Sequence, residues 1–93
     1  MFSQIPFDQK NLRKEEVTKE ILRMAIVAEF DAINLYEQLA AATDRKDIKK
    51  VFQDVAMEEK THVGEFQAML LREDEEQVVE LKSGKKEVDE LLD

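Results

Sequence analysis

Glu59 and His62 are the residues whose types and spacing most clearly suggest chemistry. His62 is the only histidine among the 93 residues, and it follows Glu59 by three positions. Because residues i and i+3 lie on one face of an α-helix, this carboxylate and this imidazole can hold the same metal ion. Oxygen and nitrogen ligands of this kind suit iron and manganese, and also zinc. The spacing therefore predicts half of a carboxylate-bridged metal site on a helix.

Long helices must position these side chains. The chain contains only two glycines and one proline, which favours a nearly all-helical protein. We predict one helix from about Lys14 to Ala42 and a second from about Arg45 to Arg72. Their short connection makes them an antiparallel hairpin, and Asp44 is expected to cap the second helix.

The two ends of the chain are predicted to be less regular than the hairpin. Residues 1–13 are expected to form an N-terminal arm that is irregular around Pro6. Residues 73–93 are expected to form a C-terminal segment with a short helix, which Ser83 caps after a break at Ser83-Gly84. We therefore expect residues 1–93 to form one all-α domain, an antiparallel two-helix hairpin with a short C-terminal helix.

Both predicted long helices carry apolar seams that acidic residues interrupt. In the second helix the only polar members are Glu59 and His62, and the seam is Ile48, Phe52, Val55, Glu59, His62, Phe66 and Met69. In the first helix Glu29 interrupts a similar seam, with Tyr36 two turns further along the same face. A carboxylate on a buried seam is costly unless it is paired or binds a metal. Arg23 and Lys60 lie at angles that favour solvent, so Glu29 becomes the third candidate ligand.

A second apolar seam runs along the first helix beside the one that carries Glu29. It comprises Val17, Ile21, Ala25, Ala28, Ala32, Leu35, Leu39 and Ala42. A helix with so wide an apolar surface must be covered on more than one side, which one hairpin partner cannot do. The sequence therefore predicts a subunit interface.

The number of candidate ligands indicates what this interface contains. A ferritin-like di-iron bundle takes one Glu from each of two helices and Glu-x-x-His from each of two others. This chain supplies one such set, so two copies related by a two-fold axis would complete the site. The four carboxylates of two copies would balance two divalent cations. We expect a homodimeric four-helix bundle with the metals between the subunits.

The composition excludes several other classes of function. The net charge of −8 disfavours nucleic acids and anionic membranes as partners, whereas it attracts cations. No apolar run approaches the length of a membrane span, and the N-terminus lacks a signal-peptide pattern. The absence of cysteine excludes disulfides and thiolate sites within these 93 residues and fits a reducing cytoplasm.

Two segments of the sequence resemble the encapsulated ferritins, the ferritin-like proteins of encapsulin nanocompartments. They are Ala-Glu-Phe-Asp-Ala-Ile-Asn-Leu-Tyr at positions 28–36 and Glu-Glu-Lys-Thr-His at positions 58–62. The resemblance extends from about Glu15 to Leu92. It implies iron ligands at Glu29, Glu59 and His62. It also implies a catalytic-site tyrosine at Tyr36 and an acidic residue, Asp31, where cations enter the site.

The resemblance also implies an activity and an assembly. Encapsulated ferritins have two-helix subunits with a short third helix, and they pair so that the ferroxidase centre forms between subunits. The dimers assemble into a ring, a decamer in the best-understood members. The implied reaction is oxidation of Fe(II) to Fe(III), with storage of the iron inside a cytoplasmic encapsulin shell. Whether the chain is free-standing cargo or one domain of a fusion with the shell protein stays open.

Two other functions are compatible with the same residues. A rubrerythrin-like di-iron peroxidase also uses Glu-x-x-His, and a helical interaction module could dimerise without metal. The native metal is open too, because zinc binds such sites more tightly than Fe(II). If His62 binds metal, it does so as neutral imidazole, and activity should fall at low pH.

Overall fold

The described part of the chain folds into three α-helices. The computed structural model describes residues 13–93, and this part of the chain contains no β-strand. The helices are α1 (Lys14–Ala42), α2 (Lys46–Glu73) and α3 (Glu75–Leu92). The all-α prediction is therefore confirmed: α1 has its predicted limits, and α2 lies one residue later than predicted. All but the last residue of the predicted N-terminal arm falls outside the described residues.

α1 and α2 pack side by side in opposite directions. Near the loop, the Lys49 ammonium donates a hydrogen bond of 2.7 Å to the carbonyl oxygen of Ala40, in the last turn of α1. Further from the loop, the ring of Tyr36 stacks on that of Phe52 with centroids 6.1 Å apart. Residue numbers thus fall along α1 as they rise along α2, which establishes the antiparallel hairpin expected from the short connection.

The expected cap of α2 at Asp44 is wrong, because the helix begins later. Arg45 occupies the N-cap position, and its backbone N–H donates to the Thr43 hydroxyl. Asp47 supplies the negative charge in the first turn, accepting hydrogen bonds of 2.8 Å from the backbone N–H of Ile48 and from the Arg45 guanidinium. These contacts lower the pKa of Asp47, with the guanidinium as the largest cause.

The predicted break at Ser83-Gly84 is also wrong, because α3 runs through both residues for 18 residues in all. The helix interruption lies at Asp74 instead, whose φ of −137° and ψ of 89° are not helical. Asp74 caps α3 by accepting a hydrogen bond of 3.0 Å from the backbone N–H of Gln77. A glycine in a helix costs only about 1 kcal/mol, so helix-forming neighbours outweigh Gly84.

Little of the apolar surface is buried within one chain. The buried apolar residues among those described are Ala32, Ile33, Ala40, Ala56 and Leu70. Three of these five are alanines, whose small side chains let α1 and α2 approach closely. Many larger apolar side chains remain exposed, including Ile21 and Leu39 of the second α1 seam. None of the helices described is both long enough and apolar enough to cross a membrane.

Candidate metal centre

The hairpin brings the three predicted ligands together. α1 contributes Glu29 near its middle, and α2 contributes Glu59 and His62 one helical turn apart. One ligand atom from each residue lies within 4.8 Å of the other two. Nδ1 of His62 is 3.4 Å from Oε2 of Glu59 and 3.5 Å from Oε2 of Glu29. The antiparallel pairing therefore converts two separate seams into one cluster of two carboxylates and an imidazole.

The three side chains differ in how far they reach the surface. The Glu29 and Glu59 side chains are only 19% and 18% exposed, whereas the His62 side chain is 44% exposed. The prediction of ligands on a buried seam thus holds well for the carboxylates and less well for the imidazole. Within one chain, His62 forms the open edge of the cluster.

The electrostatics of the cluster are incomplete without a cation. Oε2 of Glu29 is buried, and among residues 13–93 it has no hydrogen-bond donor. The Arg23 guanidinium does not simply face solvent as expected; it binds Asp74 at 3.0 Å. Lys60 contacts Glu37 at 3.6 Å, so both basic residues pair away from the cluster. A buried acceptor left without a partner costs about 1–3 kcal/mol, which a bound cation would offset.

The donor set fits a divalent transition metal. Ligand bonds of roughly 2.0–2.2 Å place two ligand atoms of one ion up to about 4 Å apart. The ligand atoms of Glu29, Glu59 and His62, which lie within 4.8 Å of one another, are close to this separation. Carboxylate oxygen with imidazole nitrogen is a combination that binds iron, manganese and zinc. Three side chains are fewer than two octahedral ions require, so ligand positions remain for a second set of donors. These residues could hold metal, and their role as ligands stays a prediction.

Asp31 is not a member of this cluster, and Tyr36 lies two helical turns from Glu29 along α1. Tyr36 is seven residues beyond Glu29 on α1, about 10 Å along the helix axis, and its ring stacks on Phe52. Asp31 follows Glu29 by two residues and points about 200° away around the helix, where it lines a shallow cavity with Asn34, Leu35 and Gln38. The predicted roles of Tyr36 and Asp31 therefore stay predictions. The sequence places Phe52 on a seam without a role at the site. Its position seven residues before Glu59 on α2, like that of Tyr36 seven residues after Glu29 on α1, is the signal that could have paired the two rings.

Comparisons with known proteins agree with this architecture. Residues 20–91 match the family described as Rubrerythrin. The crystal structure of the encapsulated ferritin domain from Pyrococcus furiosus superimposes with a TM-score of 0.86 at 49% identity, covering 99% of this chain and 94% of that chain. The three-helix arrangement is thus that of a ferritin-like domain.

Two curated proteins are also similar in sequence. The ferritin-like–encapsulin shell fusion protein of Pyrococcus furiosus is 58% identical over 82 residues, which are 88% of this chain and 24% of that protein. The encapsulin nanocompartment cargo protein EncC of Myxococcus xanthus is 43% identical over 61 residues, which are 66% of this chain and 47% of that protein. The chain thus spans about a quarter and about half of these relatives. It belongs to the rubrerythrin family, and the resemblance to encapsulated ferritins expected from its sequence is confirmed.

Proposed function

We propose that the protein is a ferroxidase, which oxidises Fe(II) to Fe(III) at a di-iron centre between two subunits. The observation that carries the proposal is the buried Oε2 of Glu29 beside Glu59 and His62, which has no hydrogen-bond donor among residues 13–93. A structural hairpin would gain stability from an apolar residue at this position, because an unpaired buried carboxylate oxygen is destabilising. Membership of the rubrerythrin family supports iron as the metal.

The completion of the site by a second copy is supported by the exposed apolar surface. On α1, Ile21 and Leu39 are five turns apart on one side of the helix and remain 46% and 38% exposed. On α2, Val51 and Met69 lie about three and two turns from His62, on the side where its imidazole is exposed, and both are exposed as well. A second hairpin placed over this face would bury the apolar side chains and bring its own ligands to the centre.

Each ligand has an assigned role in this proposal. Glu59 is the choice for the carboxylate that bridges two ions, since His62 one turn away can hold one of them. Glu29 is the more terminal ligand, and His62 binds through a neutral imidazole nitrogen. The bound Fe(II) ions are the substrate, and each gives up one electron to oxygen or peroxide. The carboxylates compensate the increase in positive charge as Fe(II) becomes Fe(III).

Two further residues have supporting roles. The stacking contact with Phe52 holds the ring of Tyr36 in place, so its hydroxyl can orient a ligand or a water at the centre. Asp31 adds negative charge on α1 close in sequence to Glu29, which would favour the approach of cations. Both roles rest on the relationship to encapsulated ferritins.

The test is aerobic Fe(II) oxidation by the wild type, Glu59→Ala and His62→Ala, followed by the absorbance of the ferric product. Glu58→Ala is the matched control, because Glu58 is the neighbouring carboxylate and is exposed on α2. We expect the control to oxidise iron at the wild-type rate and the two ligand variants to approach the rate without protein. Equal rates in all four proteins would refute the assignment.

The assembly and the location are part of the same proposal. Both curated relatives are named for encapsulin, one as a shell fusion and one as a cargo protein. We propose that this chain forms a dimer, and from dimers a ring such as a decamer, within a cytoplasmic encapsulin nanocompartment. Sedimentation with and without Fe(II) tests the dimer, which is excluded if the protein stays monomeric at high concentration under both conditions. Co-expression with an encapsulin shell tests the partnership.

A rubrerythrin-like peroxidase is the second candidate, and the family match over residues 20–91 favours it. It would reduce peroxide with electrons from a separate donor, since these 93 residues contain no cysteine to hold rubredoxin-type iron. Stopped-flow oxidation with oxygen or with peroxide, each with and without an added electron donor, separates the two reactions. Metal analysis of protein purified without chelator separates both enzymes from a metal-free interaction module.

A further inference from the structure

The side chain of Asp74 has two structural partners at the junction between α2 and α3. Oδ1 accepts a hydrogen bond of 3.0 Å from the backbone N–H of Gln77, which caps α3. Oδ2 accepts a hydrogen bond of 3.0 Å from the guanidinium of Arg23, which lies 51 residues away on α1. Asp74 is also the one charged residue buried among those described, at 7% exposure. One carboxylate thus connects the start of α3 to the hairpin.

Among the residues that the structure describes, few other contacts fix the direction of α3. Asp74 alone separates α2, which ends at Glu73, from α3, which begins at Glu75. Rotation about the backbone of this one residue would therefore swing the whole of α3. No residue of α3 is buried. Of its large apolar side chains, Val78 is half-buried, and Val79, Leu81, Val88, Leu91 and Leu92 are exposed. Packing against the hairpin consequently contributes little to holding this helix in place.

A cavity between the three helices lies beside the ion pair. Its lining includes Arg23 from α1, Leu70 from α2, and Gln77 and Leu81 from α3. Arg23 and Gln77 are the two residues that bond to Asp74, so the carboxylate joins opposite walls of the cavity. A movement of α3 away from α1 would break the ion pair and widen this space.

We propose that the Arg23–Asp74 ion pair is a latch that fixes the direction in which α3 leaves the hairpin. With the latch closed, α3 has one orientation and presents its exposed apolar end in a defined direction. With the latch open, the cap from Asp74 to Gln77 keeps α3 helical while the helix swings about Asp74. Lys19, one turn before Arg23 on α1, adds positive charge near Asp74 and supports the closed state.

The test measures a distance between α1 and α3 in the full chain. The sequence contains no cysteine, so Glu15→Cys and Lys82→Cys provide two exposed sites for spin labels. Labelled protein is mixed with excess unlabelled protein, so that the distance distribution from pulsed electron paramagnetic resonance reports single chains. In this background we expect one narrow distance distribution. Arg23→Gln should increase the width of this distribution at least about twofold. Amide exchange in α3 should become about tenfold faster, as expected for losing a half-exposed charged hydrogen bond.

Three further variants make the result decisive. Asp74→Asn keeps an oxygen for the Gln77 N–H, so it should broaden the distance without loss of α3 helicity. The double variant Lys19→Gln/Arg23→Gln removes the remaining cation and should broaden it at least as much. Arg45→Gln is the matched control, because it removes an arginine from an exposed ion pair at the start of α2. It should leave the distance unchanged.

Two results would overturn the proposal that the Arg23–Asp74 ion pair fixes the direction of α3. The first is a wild-type distance width and wild-type α3 exchange in both Arg23→Gln and the double variant. The second is loss of α1 and α2 helicity when either partner of the ion pair is replaced, since the pair would then hold the whole fold rather than one helix.

Discussion

Replacing Glu29 with methionine should stabilise the metal-free protein and remove its response to metal. Methionine has a similar size, and it eliminates the buried Oε2 that has no hydrogen-bond donor among residues 13–93. Such an oxygen costs about 1–3 kcal/mol, and we take the lower end because the side chain is 19% exposed. For a chain of this size, about 1 kcal/mol corresponds to a rise of about 4–8 °C in the Tm.

The assay is thermal unfolding followed by circular dichroism. Chelator-treated protein is compared with protein in anaerobic Fe(II), at equal protein concentrations because association also shifts the Tm. At a metal concentration about 100 times the Kd, the wild type should gain about 2.7 kcal/mol. The variant should show the higher metal-free Tm and little or no metal-induced shift. General damage to the fold would lower the metal-free Tm, so it cannot produce both a higher metal-free Tm and the loss of the metal-induced shift.

Glu37→Met is the matched control for this experiment. Glu37 lies on the same helix, but its side chain is 54% exposed and pairs with Lys60. Exposed ion pairs contribute at most about 1 kcal/mol, so the metal-free Tm should change little and the full metal-induced shift should persist. The reasoning is refuted if Glu29→Met lowers the metal-free Tm or retains the wild-type shift.

Three further predictions concern the fold. Leu70→Ala should lower the free energy of unfolding by about 2–5 kcal/mol in denaturant titrations, because Leu70 is 5% exposed and a cavity would remain. Lys49→Met should lower it by about 1 kcal/mol, because the Ala40 carbonyl loses a charged donor at the end of α1. The capping hydrogen bond from Gln77, the largest cause, and the contact with Arg23 hold the pKa of Asp74 below 3.8. Its contribution to stability should therefore be complete above that pH and be lost as the pH falls through the lower folded value, which amide exchange in α3 can follow.

Local pattern explains why the hairpin could be predicted closely. α1 has its predicted limits because a long run of helix formers ends in a short polar connection, and both features are readable without tertiary structure. The N-cap of α2 was harder to predict, because several polar residues near the start of this helix are suitable caps. The sequence already places Asp47 in the first turn of α2, but only the first helical hydrogen bond, from the Lys49 N–H to the Arg45 carbonyl, shows that the N-cap is Arg45 and not Asp44. At Ser83-Gly84, the small energetic cost of a glycine within a helix did not outweigh the helix-forming residues on either side.

The sequence by itself determined that Glu29, Glu59 and His62 interrupt apolar seams, and it predicts that a single hairpin leaves part of these seams uncovered. Helical periodicity is a local property, so it assigns residues to faces without knowledge of what they meet. Only the tertiary structure decided that the three side chains converge and that Oε2 of Glu29 has no hydrogen-bond donor within residues 13–93. It also decided that Arg23 pairs with Asp74 across 51 positions. Such contacts depend on the register between helices and on the angle at one junction residue, which local periodicity does not specify.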